Sequence, residues 1–278
     1  MRRTSLVEDF FLRLLLMMMF TSLSPLAEAK GQGMSSADSV EPMVSFNASH
    51  HVGGLNHKFL VATADELRAK FAGPSGIFEG ESREIARHAQ DLLELMERHT
   101  PGGSWAGRTV LDIGAGTGLM EGHVADMVGS TGTVFASDIS AGFVEIIKER
   151  YSGRPNIIAL QGSAHDVGVA SAAPPFSVDV AFMIDVYHHV EFPQTYLSTV
   201  LGCLRPDSGG LFVVDFYRDP SRMTSHEPSW ALDHLRADKE VFVAEIRQAG
   251  FDLVDDVNVD HMLRENYFLC FRPRSPSA

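Results

Sequence analysis

The sequence predicts an α/β protein: a doubly wound, seven-stranded, mostly parallel sheet with helices on both faces and a C-terminal antiparallel hairpin. Three observations predict it. Short apolar, β-branched runs alternate with segments of helical periodicity from about residue 109 to residue 250. The first of these runs, Val110-Leu111-Asp112-Ile113, opens into Gly114-Ala115-Gly116-Thr117-Gly118 and then a helix. The last two strands, near Phe251 to Val257 and Tyr267 to Phe271, follow each other without a helix between them, which is the pattern of an antiparallel edge.

The amino terminus differs from the rest. Arg2 and Arg3 precede an uninterrupted apolar run from Leu14 to Phe20, and Ala27-Glu28-Ala29 supplies a small-x-small cleavage pattern before Lys30. That is the plan of a secretory signal peptide over residues 1–29, with export as its consequence; initiation at Met34 would instead leave the chain in the cytoplasm. The apolar run is shorter than the roughly 20 residues of a membrane span, so no stable span is expected after cleavage. Residues 30–78 read as a linker and N-terminal arm, with Asn47-Ala48-Ser49 matching a glycosylation acceptor. His50, His51 and His57 flank Gly53-Gly54 without completing a metal set of familiar spacing, and no metal is expected. With Phe59 and Leu60 that stretch reads as an arm over a ligand opening, or equally as a loosely held tail.

Ala64 to Phe71 is helical and ends at Gly73-Pro74; Glu79 to His99 reads as one longer helix, with Ile85, Ala89, Leu92, Leu93 and Met96 at helical spacing. After the glycine loop come a helix from about Leu119 to Val128, a strand from Thr133 to Ser137 ending at Asp138, a helix from Phe143 to Tyr151 and a strand from Asn156 to Leu160. Gly162-Ser163-Ala164 is a turn. Val178 to Ile184 is the fourth buried strand, and Asp185-Val186-Tyr187-His188-His189 leaves its carboxyl end. A helix from Pro193 to Leu204, a Gly209-Gly210 turn, a strand from Leu211 to Phe216, an irregular stretch and a helix from Lys239 to Ala249 complete the alternation.

In open α/β sheets ligands bind outside the carboxyl ends of the strands. Alternate glycines at the first such end remove the side chains that would hold a ligand away, and the following helix directs N–H groups at the loop. Asp112 before the first glycine would repel a pyrophosphate and suits a ligand carrying an ammonium group. Asp138 is placed to accept both hydroxyls of a ribose, or to cap the helix starting near Ser140. The formal charge of −13 argues against a nucleic-acid partner. The only two cysteines, Cys203 and Cys270, sit in apolar settings and read as small packed hydrophobes; spacing gives no support to a disulfide.

Asp112-x-Gly114-x-Gly116-x-Gly118, the acid at Asp138, the Gly162-Ser163 turn, the strand from Asp179 to Asp185 and the Leu204-Arg205-Pro206…Gly209-Gly210 turn, in that order, resemble the class I S-adenosylmethionine-dependent methyltransferases. The run Asp-Val-Tyr-His-His and the later Trp-Ala-Leu-Asp-His-Leu-Arg resemble a subgroup of bacterial-type members. The resemblance implies a Rossmann-like methyltransferase domain over residues 79–278 and S-adenosyl-L-methionine as cofactor. It assigns Asp112, Gly114, Gly116 and Gly118 to the methionine portion, Asp138 to the ribose, and Ser163 and Ala164 to the adenine, with Ala115, Ile139 and Asp185 also among the cofactor-binding residues. Ser163 stands where the family often has an acid.

The implied reaction moves the methyl group to a small-molecule acceptor by in-line displacement. A nucleotide-dependent oxidoreductase and a non-catalytic S-adenosylmethionine-binding or scaffold protein are the rivals. A base is required only if the acceptor holds a proton, and His188 and His189 are the candidates, with Asp185 to orient one of them or to cap the next helix. Neighbours at a strand end point apart, so at most one is expected to face the acceptor. Tyr187, His234 and Arg236 are candidates for the acceptor wall. The oligomeric state cannot be read from the sequence.

Overall fold

The structure is a computed structural model that describes residues 54–275. The signal peptide, the linker, Asn47, His50 and His51 lie outside the described residues. Seven strands are present: β1 (Thr109–Ile113), β2 (Thr133–Asp138), β3 (Ile157–Gln161), β4 (Val180–Ile184), β5 (Gly210–Phe216), β6 (Phe251–Val257) and β7 (Asn266–Pro273). They form one sheet in the order β3-β2-β1-β4-β5-β7-β6. The first five are parallel, and β7 runs antiparallel between β5 and β6. The expected sheet and its terminal hairpin are therefore both present.

The helices are α1 (His57–Val61), α2 (Ala64–Phe71), α3 (Glu84–Arg87), α4 (Ala89–His99), α5 (Glu121–Val128), α6 (Ala141–Arg150), α7 (Pro193–Cys203), α8 (Trp230–His234) and α9 (Lys239–Gln248). Alternation along the strands splits the interior in two. Leu111, Ile113, Ala181, Met183, Leu211 and Val213 point to one face and pack under α7 and α9. Val110, Val134, Val180, Phe182, Phe212 and Val214 point to the other and pack under α4 and α5. Central strands covered on both sides carry apolar residues almost without interruption, as parallel sheets require. Cys203 belongs to the first cluster and Cys270 to the second, so the sheet separates them. Both are free and buried.

Two boundaries differ from expectation. The segment from Glu79 to His99 is not one helix: α3 and α4 are separated by His88, and residues before Arg83 form turns. Gly80, whose N–H donates back to Gly76, closes a turn there instead of continuing the helix. The helix after the glycine loop begins at Glu121 instead of Leu119, because residues 115–118 first close a tight turn through Gly118 N–H and Ala115 O. Among the described residues, no helix is long and apolar enough to cross a membrane.

Candidate active site

The winding reverses between β1 and β4: from β1 the chain proceeds outward through β2 and β3 on one side, and from β4 to β5 on the other. At their carboxyl ends lies a cavity of about 580 Å³, within the usual range for small-molecule sites. Asp112, Gly114, Ala115, Gly116, Asp138, Ile139, Ser163, Ala164 and Asp185 all line it. So do His188, His189 and His234 on the opposite wall, with Phe59 and Phe78 from the N-terminal segment.

The glycine bend works through space, and its amides are not the ligand donors that the sequence suggested. Gly114 and Ala115 N–H both donate to Ser137 O, and Gly116 N–H donates to Asp138 Oδ2 at 2.9 Å. Gly114 has φ +78 and a Cβ there would meet Val186 Cγ2 at 2.4 Å; Gly116 has φ +56 and its Cβ would press the Phe78 ring at 3.3 Å. Gly118 stands outside the cavity lining, and its carbonyl accepts from Tyr151 Oη at 2.7 Å. Its role is to shape the turn.

Three carboxyls crowd behind the bend. Asp138 Oδ1 accepts from Ser140 N–H at 2.8 Å while Oδ2 holds Gly116. Ser140 is the residue that caps α6, accepting from Phe143 N–H, so Asp138 braces the cap and still faces the cavity. Burial pushes the Asp138 carboxyl up to about 6 despite these backbone bonds. Glu121 lies beside Asp112, and burial plus that neighbour raise Asp112 well above the usual carboxylate range. Burial raises Glu121 to about 7. Two buried carboxyls side by side disfavour ionising together without a counter-charge. Glu121 was missed in the sequence. An acid in the first turn of a helix beside Asp112 was its only signal.

Asp185 has φ +56 and pairs with Arg83, whose guanidinium touches one oxygen, while Asn266 Nδ2 donates to the other at 2.6 Å. Burial raises its pKa, and Arg83 opposes that. The residue that orients a histidine is Asp215, not Asp185. His188 Nδ1 lies 2.7 Å from Asp215 Oδ1, and His188 N–H donates to Asp215 Oδ2 at 2.9 Å. Asp215 is fully buried on β5, where an acid in an otherwise apolar strand was the overlooked signal.

His188 and His189 do not diverge. They lie on a 3₁₀ turn, Tyr187–His189, and their ring centroids are 4.3 Å apart. A turn of three residues sends side chains about 120° apart, where a strand would send them about 180° apart. Both therefore reach the cavity, and His234 joins them from the end of α8. Tyr187 takes the remaining direction into the core, fully buried, with Oη donating to Glu245 at 3.1 Å. Arg236 is also absent from the cavity wall: it forms a two-bond pair with Glu245 at 2.7 and 2.6 Å and covers the Phe242 ring at 4.5 Å. Neither is placed to touch an acceptor. His226, weighed from the sequence as part of that wall or as a surface residue, lines the cavity and stacks on Trp230 at 3.9 Å, and burial lowers its pKa.

Residues 111–214, from β1 through β5, match the family of methyltransferase domains. The fold is the one found in S-adenosylmethionine-dependent methyltransferases. The cavity is of a kind that S-adenosylmethionine fits: Asp112 and Asp138 supply acids, and Ile139, Phe143 and Ile184 supply apolar walls. A methyltransferase of Aquifex aeolicus is 20% identical, with a TM-score of 0.58 over 76% of this chain and 98% of that one. The [4+2]-cyclase SpnF is 17% identical, with a TM-score of 0.58 over 82% of this chain and 97% of the other. At these identities the likeness is one of fold, and a fold does not fix a reaction. No curated protein matches the sequence.

Proposed function

We propose that this protein transfers the methyl group of S-adenosylmethionine to a small-molecule acceptor seated against the histidine wall, by in-line displacement. The observation that carries the reading is that one cavity holds both the glycine bend with its acids and the three histidines. When bound, the donor supplies a methyl group already activated on a sulfonium sulfur. The protein's work is therefore alignment and exclusion of water, which accounts for roughly 7–11 kcal/mol of barrier in favourable systems.

Asp112, which lines the cavity, meets the donor's ammonium, and that positive charge eases the burial of Asp112 beside Glu121. The Asp138 oxygens, each holding one backbone N–H, keep a second lone pair for the ribose hydroxyls. Ile139, Ser163 and Ala164 face the adenine. Phe59, Phe71, Phe78 and Phe143 form a cluster with centroids 4.5–5.8 Å apart that shields this end from water. His188 accepts the acceptor's proton at Nε2, because Asp215 fixes the proton on Nδ1 and stabilises the imidazolium. The acidic balance of the chain favours a small acceptor over a nucleic acid. The amino-terminal segment directs the protein out of the cytosol in this reading.

The test incubates the full-length protein with radiolabelled S-adenosylmethionine and a panel of thiols, phenols, amines and carboxylic acids, with calorimetric titration of S-adenosylhomocysteine alongside. Donor-dependent labelling of one class supports the reading. Tight nucleoside binding without product across the panel assigns the protein to non-catalytic binding instead.

A further inference from the structure

The three histidines have a second property that the methyl-transfer reading does not use. One ring nitrogen from each of His188, His189 and His234 lies within 4.8 Å of the other two. His189 Nε2 and His234 Nε2 are 3.3 Å apart. Two ligands of a tetrahedral ion with metal–nitrogen bonds of about 2.0–2.1 Å are separated by about 3.3–3.4 Å. The spacing of that pair is the edge of such a tetrahedron, and the third histidine offers a nitrogen within 4.8 Å of both.

The surroundings are those of a ligand set. His188 holds Nδ1 against the buried Asp215 carboxylate at 2.7 Å, which leaves Nε2 as its ligating atom. Metal-binding histidines carry this carboxylate behind the ring, where it fixes the tautomer and raises basicity. His234 stacks on Trp230 at 4.6 Å with 22° between the planes, and His189 meets the edge of Phe59 at 5.6 Å. Both rings are held by packing.

We propose that His188, His189 and His234 form a binding site for one divalent first-row cation. Three imidazoles select zinc, cobalt, nickel or copper over magnesium or calcium, which prefer oxygen. The fourth position opens into the cavity, since all three histidines line it. Three protein nitrogens with one open position is the pattern of a site that binds solvent or a substrate heteroatom, not of a closed structural centre. With the cation bound, His188 Nε2 is a ligand and no longer a base; coordination acidifies an acceptor hydroxyl or thiol, whose proton passes to solvent water in the open cavity. The sequence hid the set because His189 and His234 are 45 positions apart.

The experiment uses the untagged full-length chain, freed of metal with a chelator and titrated with cobalt(II) chloride. A tetrahedral site gives visible d–d absorption that saturates at one ion per chain. His234→Ala and His189→Ala each weaken binding at least 100-fold, and Asp215→Asn weakens it 10–100-fold. Titration with S-adenosylhomocysteine and the thermal midpoint of each variant report separately on the donor half and on folding. Saturable absorption lost in the two histidine variants, with nucleoside binding retained, establishes the site. Absence of saturable cobalt binding in a wild type that still binds the nucleoside overturns it. So does binding that persists in the double variant. Loss of nucleoside binding by the wild type bears on the methyl-transfer reading and leaves the cobalt result to decide the metal site.

Discussion

Replacing Gly114 by Ala tests how tightly the bend is built. At φ +78 an L-residue costs about 1–2 kcal/mol in left-handed backbone. The added methyl would stand 2.4 Å from Val186 Cγ2 and 2.6 Å from Cγ1, so the valine or the bend must move. Overpacking of this kind costs about 1–3 kcal/mol. The sum is a loss of about 2–5 kcal/mol of folding stability, read as a fall in the urea midpoint at unchanged slope. The two backbone bonds to Ser137 O resist a shift of the bend, so the strain passes to Val186, between Asp185 and the histidine turn. Val186→Ala removes both colliding atoms and leaves only its Cβ, 3.1 Å from the new methyl. In a double-mutant cycle the second change therefore restores the collision part, about 1–3 kcal/mol, but not the backbone part. A Gly114→Ala protein as stable as wild type, or a cycle without favourable coupling, refutes the steric account of the bend.

Asp138→Ala leaves the Gly116 and Ser140 N–H groups without their acceptor and removes the ribose contact, so S-adenosylhomocysteine binding weakens by about 1–3 kcal/mol in calorimetry; unchanged affinity rules out the ribose role. Its pKa, raised from 3.8 to about 6, means the folded state holds the proton longer than the unfolded chain does. Stability therefore falls with rising pH across about pH 4–6, by about 3 kcal/mol relative to Asp138→Asn, and is level above; urea midpoints that rise with pH in this comparison contradict it. Asp215→Asn turns the His188 ring free of its charged partner and lowers turnover with little change in nucleoside affinity, a kcat effect without a matching change in Kd. Tyr187→Phe loses only the bond to Glu245, with a cost of about 0.5–1.5 kcal/mol in stability, while nucleoside affinity and turnover stay as in wild type.

The donor half of this site was legible in the sequence because its logic is local. A strand, an acid, alternate glycines and a helix are consecutive, and their periodicities announce them. Asp112, Gly114, Gly116 and Asp138 all reach the cavity for that reason. The wall opposite was legible only in part. His188, His189 and His234 could be named, but the 3₁₀ turn that brings two of them together has no periodic signal. Asp215 and Glu121 were missed because each acts on a partner supplied by another strand or helix, and sequence distance conceals that. Tyr187 and Arg236 were assigned to the acceptor wall on chemical type alone. Packing decided otherwise, turning one into the core and closing the other onto Glu245.

The position of the two thiols bears on where this fold can live. Burial pushes Cys203 and Cys270 each up to about 12, so neither offers appreciable thiolate near neutrality. Cys203 ends the helix on one face of the sheet, and Cys270, a residue of β7, packs into the cluster on the other face. The covalent connectivity of the chain is thus the same in a glutathione-rich interior and in an oxidising exterior. Whichever side of a membrane the polypeptide folds on, it owes nothing to the redox state of its surroundings.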